Sequence, residues 1–186
     1  MEQPKVIEKI RLTYEDYLLL PDDRNRYEIL DGELNVTPAP TTKHQTVSVN
    51  LLAVLYGYVR EHKLGKIFSA PMDVILDDSS IVQPDLIFIN KERAEIITEK
   101  NVQGAPDLVI EILSPSTAKV DRLRKMQIYL RYGIKHYWLV DPDAETLEVY
   151  RLESGKYHVA SGFEKNDVFE PEPFPGLRIK LSEIWE

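Results

Sequence analysis

The chain has 186 residues, 43% hydrophobic and 29% charged, the size and balance of one globular domain with its own core. It has no cysteine, so disulfides, cysteine-based zinc sites and thiol catalysis are excluded. Its net charge of −8 argues against a protein that coats nucleic acid non-specifically.

The N-terminal Met-Glu-Gln-Pro-Lys carries no apolar signal core. The longest uncharged stretch, residues 44–59, is too short to span a bilayer. A cytoplasmic protein without membrane association is expected.

Residues 13–20 read as a short helix, with Thr13 as N-cap, Asp16 three positions on and Pro21 as the stop. Residues 22–25 form a turn. Residues 26–30 and 33–37 flank Asp31-Gly32, a dipeptide favoured in two-residue hairpin turns. Thr41 or Thr42 caps a helix reaching about His62, with Val47, Leu51, Leu55 and Val59 as its inner stripe. Residues 66–76 read as one strand kinked at Pro71, and residues 81–89 as the next. Residues 91–100 suggest a surface helix, and 101–106 a connection.

Residues 107–113 form the most buried-looking strand. The following helix is expected to face inward through Val120, Leu123, Gln127 and Leu130, and Gly133 ends it. Residues 135–140 are a strand closed by Asp141-Pro142. A late hairpin surrounds Glu153-Ser154-Gly155, and the tail, 169–186, is expected to pack back on the body. The order implies a mixed α/β (α+β) domain spanning 1–186. It has a central mixed sheet flanked by helices and extra β-hairpins. Residues 107–140 are long enough for a parallel crossover.

Two apolar runs entered by Pro-Asp stand out: Pro84-Asp85-Leu-Ile-Phe-Ile and Pro106-Asp107-Leu-Val-Ile-Glu111-Ile-Leu. Such runs read as strands buried on both faces. A buried acid there needs a cation or a metal. Asp107 shares Glu111's strand and face but stands about 13 Å away, too far for one metal. Asp85 lies on another strand and is free to come alongside Glu111. Two such carboxylates, with the Ile112 carbonyl as a third oxygen, suit a hard divalent cation. The alternative makes Asp85 a turn residue and Glu111 a salt-bridged core acid. No phosphate-binding glycine loop, dinucleotide fingerprint or metalloprotease helix is present. Residues 116–136 hold six basic side chains against Asp121, a basic patch on an acidic chain.

The pattern Tyr27-Glu28-Ile-Leu-Asp31-Gly32-Glu33, His44, Gln83-Pro84-Asp85, Glu111-Ile-Leu-Ser114-Pro115-Ser116-Thr117, Asp121-Arg122-x-x-Lys125-x-x-x-Tyr129 and Tyr137-Trp138-Leu-Val-Asp141-Pro142 resembles the Uma2 family. These are restriction-endonuclease-like proteins of the PD-(D/E)xK nuclease superfamily, and the resemblance covers about residues 10–180. It implies a restriction-endonuclease-like core and a Mg2+ (or Mn2+)-dependent endonuclease hydrolysing DNA. Asp85 and Glu111 would hold the metal.

The superfamily's lysine position is Leu113 here. The resemblance therefore points to a lysine on the following helix: Lys125, which shares a face with Asp121 and Tyr129, or failing that Lys119. His44 is a further catalytic candidate, because it opens the long helix where the superfamily often places an accessory acid. Glu33 is another. Glu28 flanks the same turn, which interrupts the alternation that would choose between the two, and Asp73 is an outside candidate. Lys119, Arg122 and Arg124 are expected to contact phosphates. Cutting two strands calls for a homodimer. The rival expectation is a non-catalytic binding or regulatory module retaining the nuclease fold.

Overall fold

The computed structural model describes residues 10–23 and 25–186. The N-terminal pentapeptide, and Arg24 of the expected turn, lie outside the described residues. Helix α1 (Tyr14–Tyr17) begins at a reciprocal capping box. Thr13 accepts from the Asp16 N–H, and the Asp16 carboxylate accepts from the Thr13 N–H. Strands β1 (Arg26–Leu30) and β2 (Glu33–Thr37) form the expected hairpin. Asp31 and Gly32 both take positive φ, 53° and 81°, as a two-residue hairpin turn of this hand requires. Helix α2 (Thr42–Glu61) is capped by Thr41 and buries His44, Val47, Leu51, Leu55 and Val59. Among the described residues no helix is long and apolar enough to cross a membrane.

The two long strands expected next are each split between two sheets. Residues 66–76 become β3 (Gly65–Ser69) and β4 (Val74–Asp77), broken at Pro71. Residues 81–89 become β5 (Ser80–Val82) and β6 (Leu86–Asn90), broken at Gln83-Pro84-Asp85. Proline has no N–H for a ladder, so the chain leaves one sheet and enters the other there. Residues Lys91–Ile96 wind as a short 3-10 helix rather than a longer surface helix, and the expected connection holds β7 (Val102–Gln103).

The remaining strands are β8 (Leu108–Ile112), β9 (His136–Asp141), β10 (Thr146–Glu153), β11 (Lys156–Phe163) and the short pair β12 (Val168–Phe169) and β13 (Ile179–Lys180). The central sheet is mixed, in the order β11-β10-β9-β8-β6-β3, with β8 and β9 parallel. A second sheet has the order β2-β1-β5-β4-β7.

Alternation along β6 and β8 divides the core. Leu86, Phe88, Ile110 and Ile112 pack with α2 and the tail, including Phe174, Ile184 and Trp185. The tail thus folds back as expected. Ile87, Ile89, Val109 and Leu113 face the other way, with Leu30, Val82, Ile128 and Tyr129. Asp85 and Glu111 have the parity of this second face.

The segment between β8 and β9 departs from its expected inner face. It continues into helix α3 (Met126–Arg131), but its first turn, Val120–Lys125, is π-wound, with the Met126 N–H donating to the Asp121 carbonyl five residues back. Asp121, Lys125, Ile128 and Tyr129 are buried, whereas Leu123 is 60% exposed. The expected stripe assumed α-helical phase throughout and assumed that apolar residues point inward. Here the inward face is largely polar, because it meets buried acids.

Candidate active site

The register of β6 and β8 sets Leu86 opposite Ile110, and one step further brings Asp85 opposite Glu111. Directly opposed residues of an antiparallel pair project on one face. The Asp85 carboxylate takes three partners. Its Oδ1 accepts from Arg26 at 2.8 Å, and its Oδ2 accepts from the Ile112 N–H at 2.8 Å and lies 3.2 Å from His44 Nε2. Sequence suggested the Ile112 carbonyl as a ligand, whereas the contact made is through its N–H. Both groups of a strand residue leave the same edge, so the carbonyl is also turned toward the β6 side. Burial alone would raise the Asp85 carboxyl, but His44, Arg26 and the Ile112 N–H hold it down at about 2.

Glu111 is 1% exposed, and its Oε1 accepts from Lys125 Nζ at 3.0 Å and from the Tyr129 hydroxyl at 2.6 Å. Burial pushes Glu111 up to about 8; Lys125 opposes the rise, and Asp121, Asp85 and Glu28 add to it. Lys125 Nζ also lies 2.8 Å from Glu28 Oε1 and 3.5 Å from Asp121 Oδ1. Burial would lower this ammonium, but the three carboxylates outweigh it and raise Lys125 above the ordinary lysine range. Asp121 is raised by burial, against Lys125 and Thr117. The Tyr137 hydroxyl donates to the Asp121 carbonyl at 3.1 Å, fixing the π-wound turn from below.

The hairpin contributes Glu28, which is fully buried. Its Oε1 also accepts from the Gln83 N–H at 2.9 Å, and its Oε2 from Asn35 at 3.0 Å. The two-residue turn sets Glu28 opposite Asn35 and Leu30 opposite Glu33, so Glu28 and Glu33 share a face. Glu33 sits nearer the turn and pairs with Arg124 at 2.8 Å, outside the group around Lys125. Arg26, two residues before Glu28, has its own side chain on that face and reaches Asp85.

The other expected residues are more dispersed. Asp73 accepts from Tyr17 and Gln83, both at 2.7 Å. Arg122 pairs with Glu148 and Asp141, and Arg124 with Glu33 and the Leu30 carbonyl. Lys119 is exposed on the loop side of the same segment. The basic patch seen in sequence is thus largely neutralised by facing acids.

Among the described residues, no group of three or more His, Asp or Glu side chains converges closely enough to hold a metal ion. Lys125 stands between the carboxylates that would otherwise meet. The charge balance nevertheless suits a cation. Four buried carboxyl groups, Glu28, Asp85, Glu111 and Asp121, face two permanent cations, Lys125 and Arg26. Carboxylate and carbonyl oxygens are the donors a hard divalent ion takes, so the residues fit such a group at Asp85, Glu111 and the Ile112 carbonyl.

Asp85, Arg26 and His44 line a groove of about 1130 Å³. Lys125, Glu28 and Asp121 line a separate pocket of about 20 Å³, room for one water molecule. Thr37-Pro38 and Ser116-Thr117 border both spaces, so only the end of β2 and the Ser-Pro-Ser-Thr loop separate them. Sequence reading missed Arg26. Nothing marks an arginine at a strand start as an acid's partner until the strand pairing is known.

Comparison with known proteins bears on the fold and the family. A crystal structure described as a putative nuclease belonging to DUF820, from Anabaena variabilis, superposes with a TM-score of 0.78 at 23% identity, covering 94% of this chain and 97% of that one. At that identity the likeness is one of fold, and the mixed α+β architecture agrees with a restriction-endonuclease-like core. No curated protein matches. The Uma2 family, described as "Putative restriction endonuclease", matches residues 14–182, and the chain belongs to that family.

Proposed function

We propose that the protein is a divalent-metal-dependent nuclease that hydrolyses DNA phosphodiester bonds at Asp85 and Glu111. The observation that carries this reading is the buried group of four carboxylates with two permanent cations, one of whose acids, Asp85, lines an open groove. A divalent cation such as Mg2+ or Mn2+, when bound, supplies Lewis acidity toward a water and a phosphate oxygen.

The residues then divide the work. Asp85, Glu111 and the Ile112 carbonyl present oxygens to the metal. Lys125 is held protonated by its three carboxylates, so it serves as a fixed N–H donor and not as a base. It orients the attacking water beside Glu28 and stabilises charge developing on the phosphate. Tyr129 fixes the Glu111 carboxylate through its 2.6 Å hydrogen bond. Arg26 and His44, at the groove floor, are placed to move from Asp85 to an entering phosphate. In the reaction the water oxygen bonds to phosphorus and one P–O ester bond breaks, leaving a phosphomonoester and a hydroxyl. Glu28 takes the hairpin role for which sequence offered Glu28 or Glu33.

One observation favours the rival reading, a binding or regulatory module. Glu111 is sealed by Lys125 and Tyr129 as a salt-bridged core acid would be. Cleavage assays on circular single-stranded and supercoiled duplex DNA with Mn2+ decide between them. The nuclease reading expects cutting that disappears in Glu111→Gln and Asp85→Asn. A folded wild type that cuts neither substrate would leave the module.

A further inference from the structure

The groove beside Asp85 has a composition that the acid site does not explain. Helix α2 carries no charged side chain between His44 and Val59. Its core stripe accounts for only half of that. Gln45, Ser48, Val49 and Leu52, at helical spacing i, i+3, i+4 and i+7, form a second uncharged stripe, and it lines the groove. Val49 is 59% exposed there. Leu18, 63% exposed, and Pro71 add to the apolar lining.

The described charges lining the groove are mostly acidic, the wrong sign for a phosphate track. Among the described lining residues Arg26 is the only lysine or arginine, and it is bound to Asp85. Asp22, Asp23 and Asp73 join Asp85 as lining acids. The arginines of the basic segment 116–136 are occupied as well: Arg122, Arg124 and Arg131 pair with Glu148, Glu33 and Asp31.

Duplex DNA shows its surroundings a dense row of phosphates and keeps its bases stacked inside, so it is a poor complement to an uncharged and acidic groove. Unpaired DNA exposes base faces to apolar side chains and base amino groups to carboxylates and amides. We infer that the groove takes unpaired DNA, with bases against the α2 stripe and Leu18 and only the phosphate at the acid site facing Arg26 and His44. This rests on the nuclease reading of that site and specifies its substrate as single-stranded.

The test uses the full chain carrying Glu111→Gln and a fluorescent oligonucleotide, alone or annealed to its complement, with Ca2+ present. The single strand is expected to bind roughly tenfold tighter than the duplex. With Arg26 and His44 as the phosphate-facing cations among the described lining residues, the slope of log K against log salt is expected to be about −2. Adding Leu18→Glu or Val49→Glu, both at exposed positions, should weaken single-strand binding roughly tenfold. Equal or tighter duplex binding, a slope of several units, or no effect of either groove variant would overturn the inference. Metal-dependent cutting of duplex alone by the wild type would also overturn it and leave the nuclease reading standing. Single-strand binding without cleavage of any DNA would support the groove assignment and remove the nuclease reading.

Discussion

Asp85 and Glu111 stand opposite each other on neighbouring strands, yet each is bound to a different cation: Arg26 holds Asp85 at 2.8 Å, and Lys125 holds Glu111 at 3.0 Å. Arg26 and Asp85 line an open groove, and Lys125 lines a space for one water. The end of β2 and the Ser-Pro-Ser-Thr loop divide the two spaces.

Removing the Lys125 ammonium leaves Glu28, Glu111 and Asp121 buried without their shared counter-ion. Lys125→Met should destabilise the metal-free protein by about 3–5 kcal/mol and abolish cleavage. Because a divalent ion can replace part of that charge, Mn2+ should raise the variant's denaturant midpoint more than that of the wild type. Urea titrations with EDTA and with Mn2+ measure both effects. Equal shifts would place the metal away from this cluster.

Metal binding should release a proton. Glu111, raised to about 8, holds a proton at neutral pH, and coordination requires its carboxylate. Affinity should therefore climb as pH rises toward 8 and level off above it. Calorimetry at pH 7 in buffers of different ionisation enthalpy should count about one proton released in the wild type. Glu111→Gln should release none.

The two acids should also shape stability in opposite directions. Asp85 falls from 3.8 to about 2 on folding, so its contribution, roughly 2 kcal/mol, is present above pH 3.8 and is lost as pH falls through 2. Glu111 rises from 4.5 to about 8, so the metal-free fold loses stability as pH climbs from 4.5 to 8. Unfolding free energies measured with EDTA should peak between these limits. Asp85→Asn should flatten the acid limb and Glu111→Gln the alkaline limb. An unchanged profile in both variants would contradict the assignment.

The hairpin separates its two glutamates by role. Glu28→Gln removes a buried partner of Lys125, Gln83 and Asn35 and should abolish cleavage. Glu33→Gln breaks the partly exposed pair with Arg124. It should cost under about 1 kcal/mol and leave cleavage intact. Loss of activity in Glu33→Gln with activity kept in Glu28→Gln would reverse the two assignments.

Much of this site is legible in the sequence, and the reasons are local. Glu111 stands out because an acid in a run of isoleucine, valine and leucine needs a partner. Asp85 follows because Asp107 is too far along the same strand. Asp31-Gly32 predicts its hairpin to the residue. What is missed depends on relations between elements. Glu28 and Glu33 share a face, so telling the one beside Lys125 from the one beside Arg124 needs the packing of the hairpin on residues 120–125, and finding Arg26 needs the packing of the second sheet on the first. The inner face of 120–131 is misread because apolar residues are expected inward, whereas Asp121, Lys125 and Tyr129 are drawn in by Glu111 and Glu28. Splitting residues 66–76 and 81–89 between two sheets follows from Pro71, which reads as a kink, and Pro84, which reads as lying within one strand, until both sheets are seen.

The most direct test of the central claim is isothermal calorimetry with Mn2+ on the wild type, Asp85→Asn and Glu111→Gln, with cleavage of single-stranded and duplex DNA followed on the same preparations. The account predicts one metal-binding event and DNA cutting in the wild type, with both lost in each variant while circular dichroism shows the fold retained. A folded wild type that neither binds Mn2+ nor cuts, or variants that bind and cut like the wild type, would contradict it.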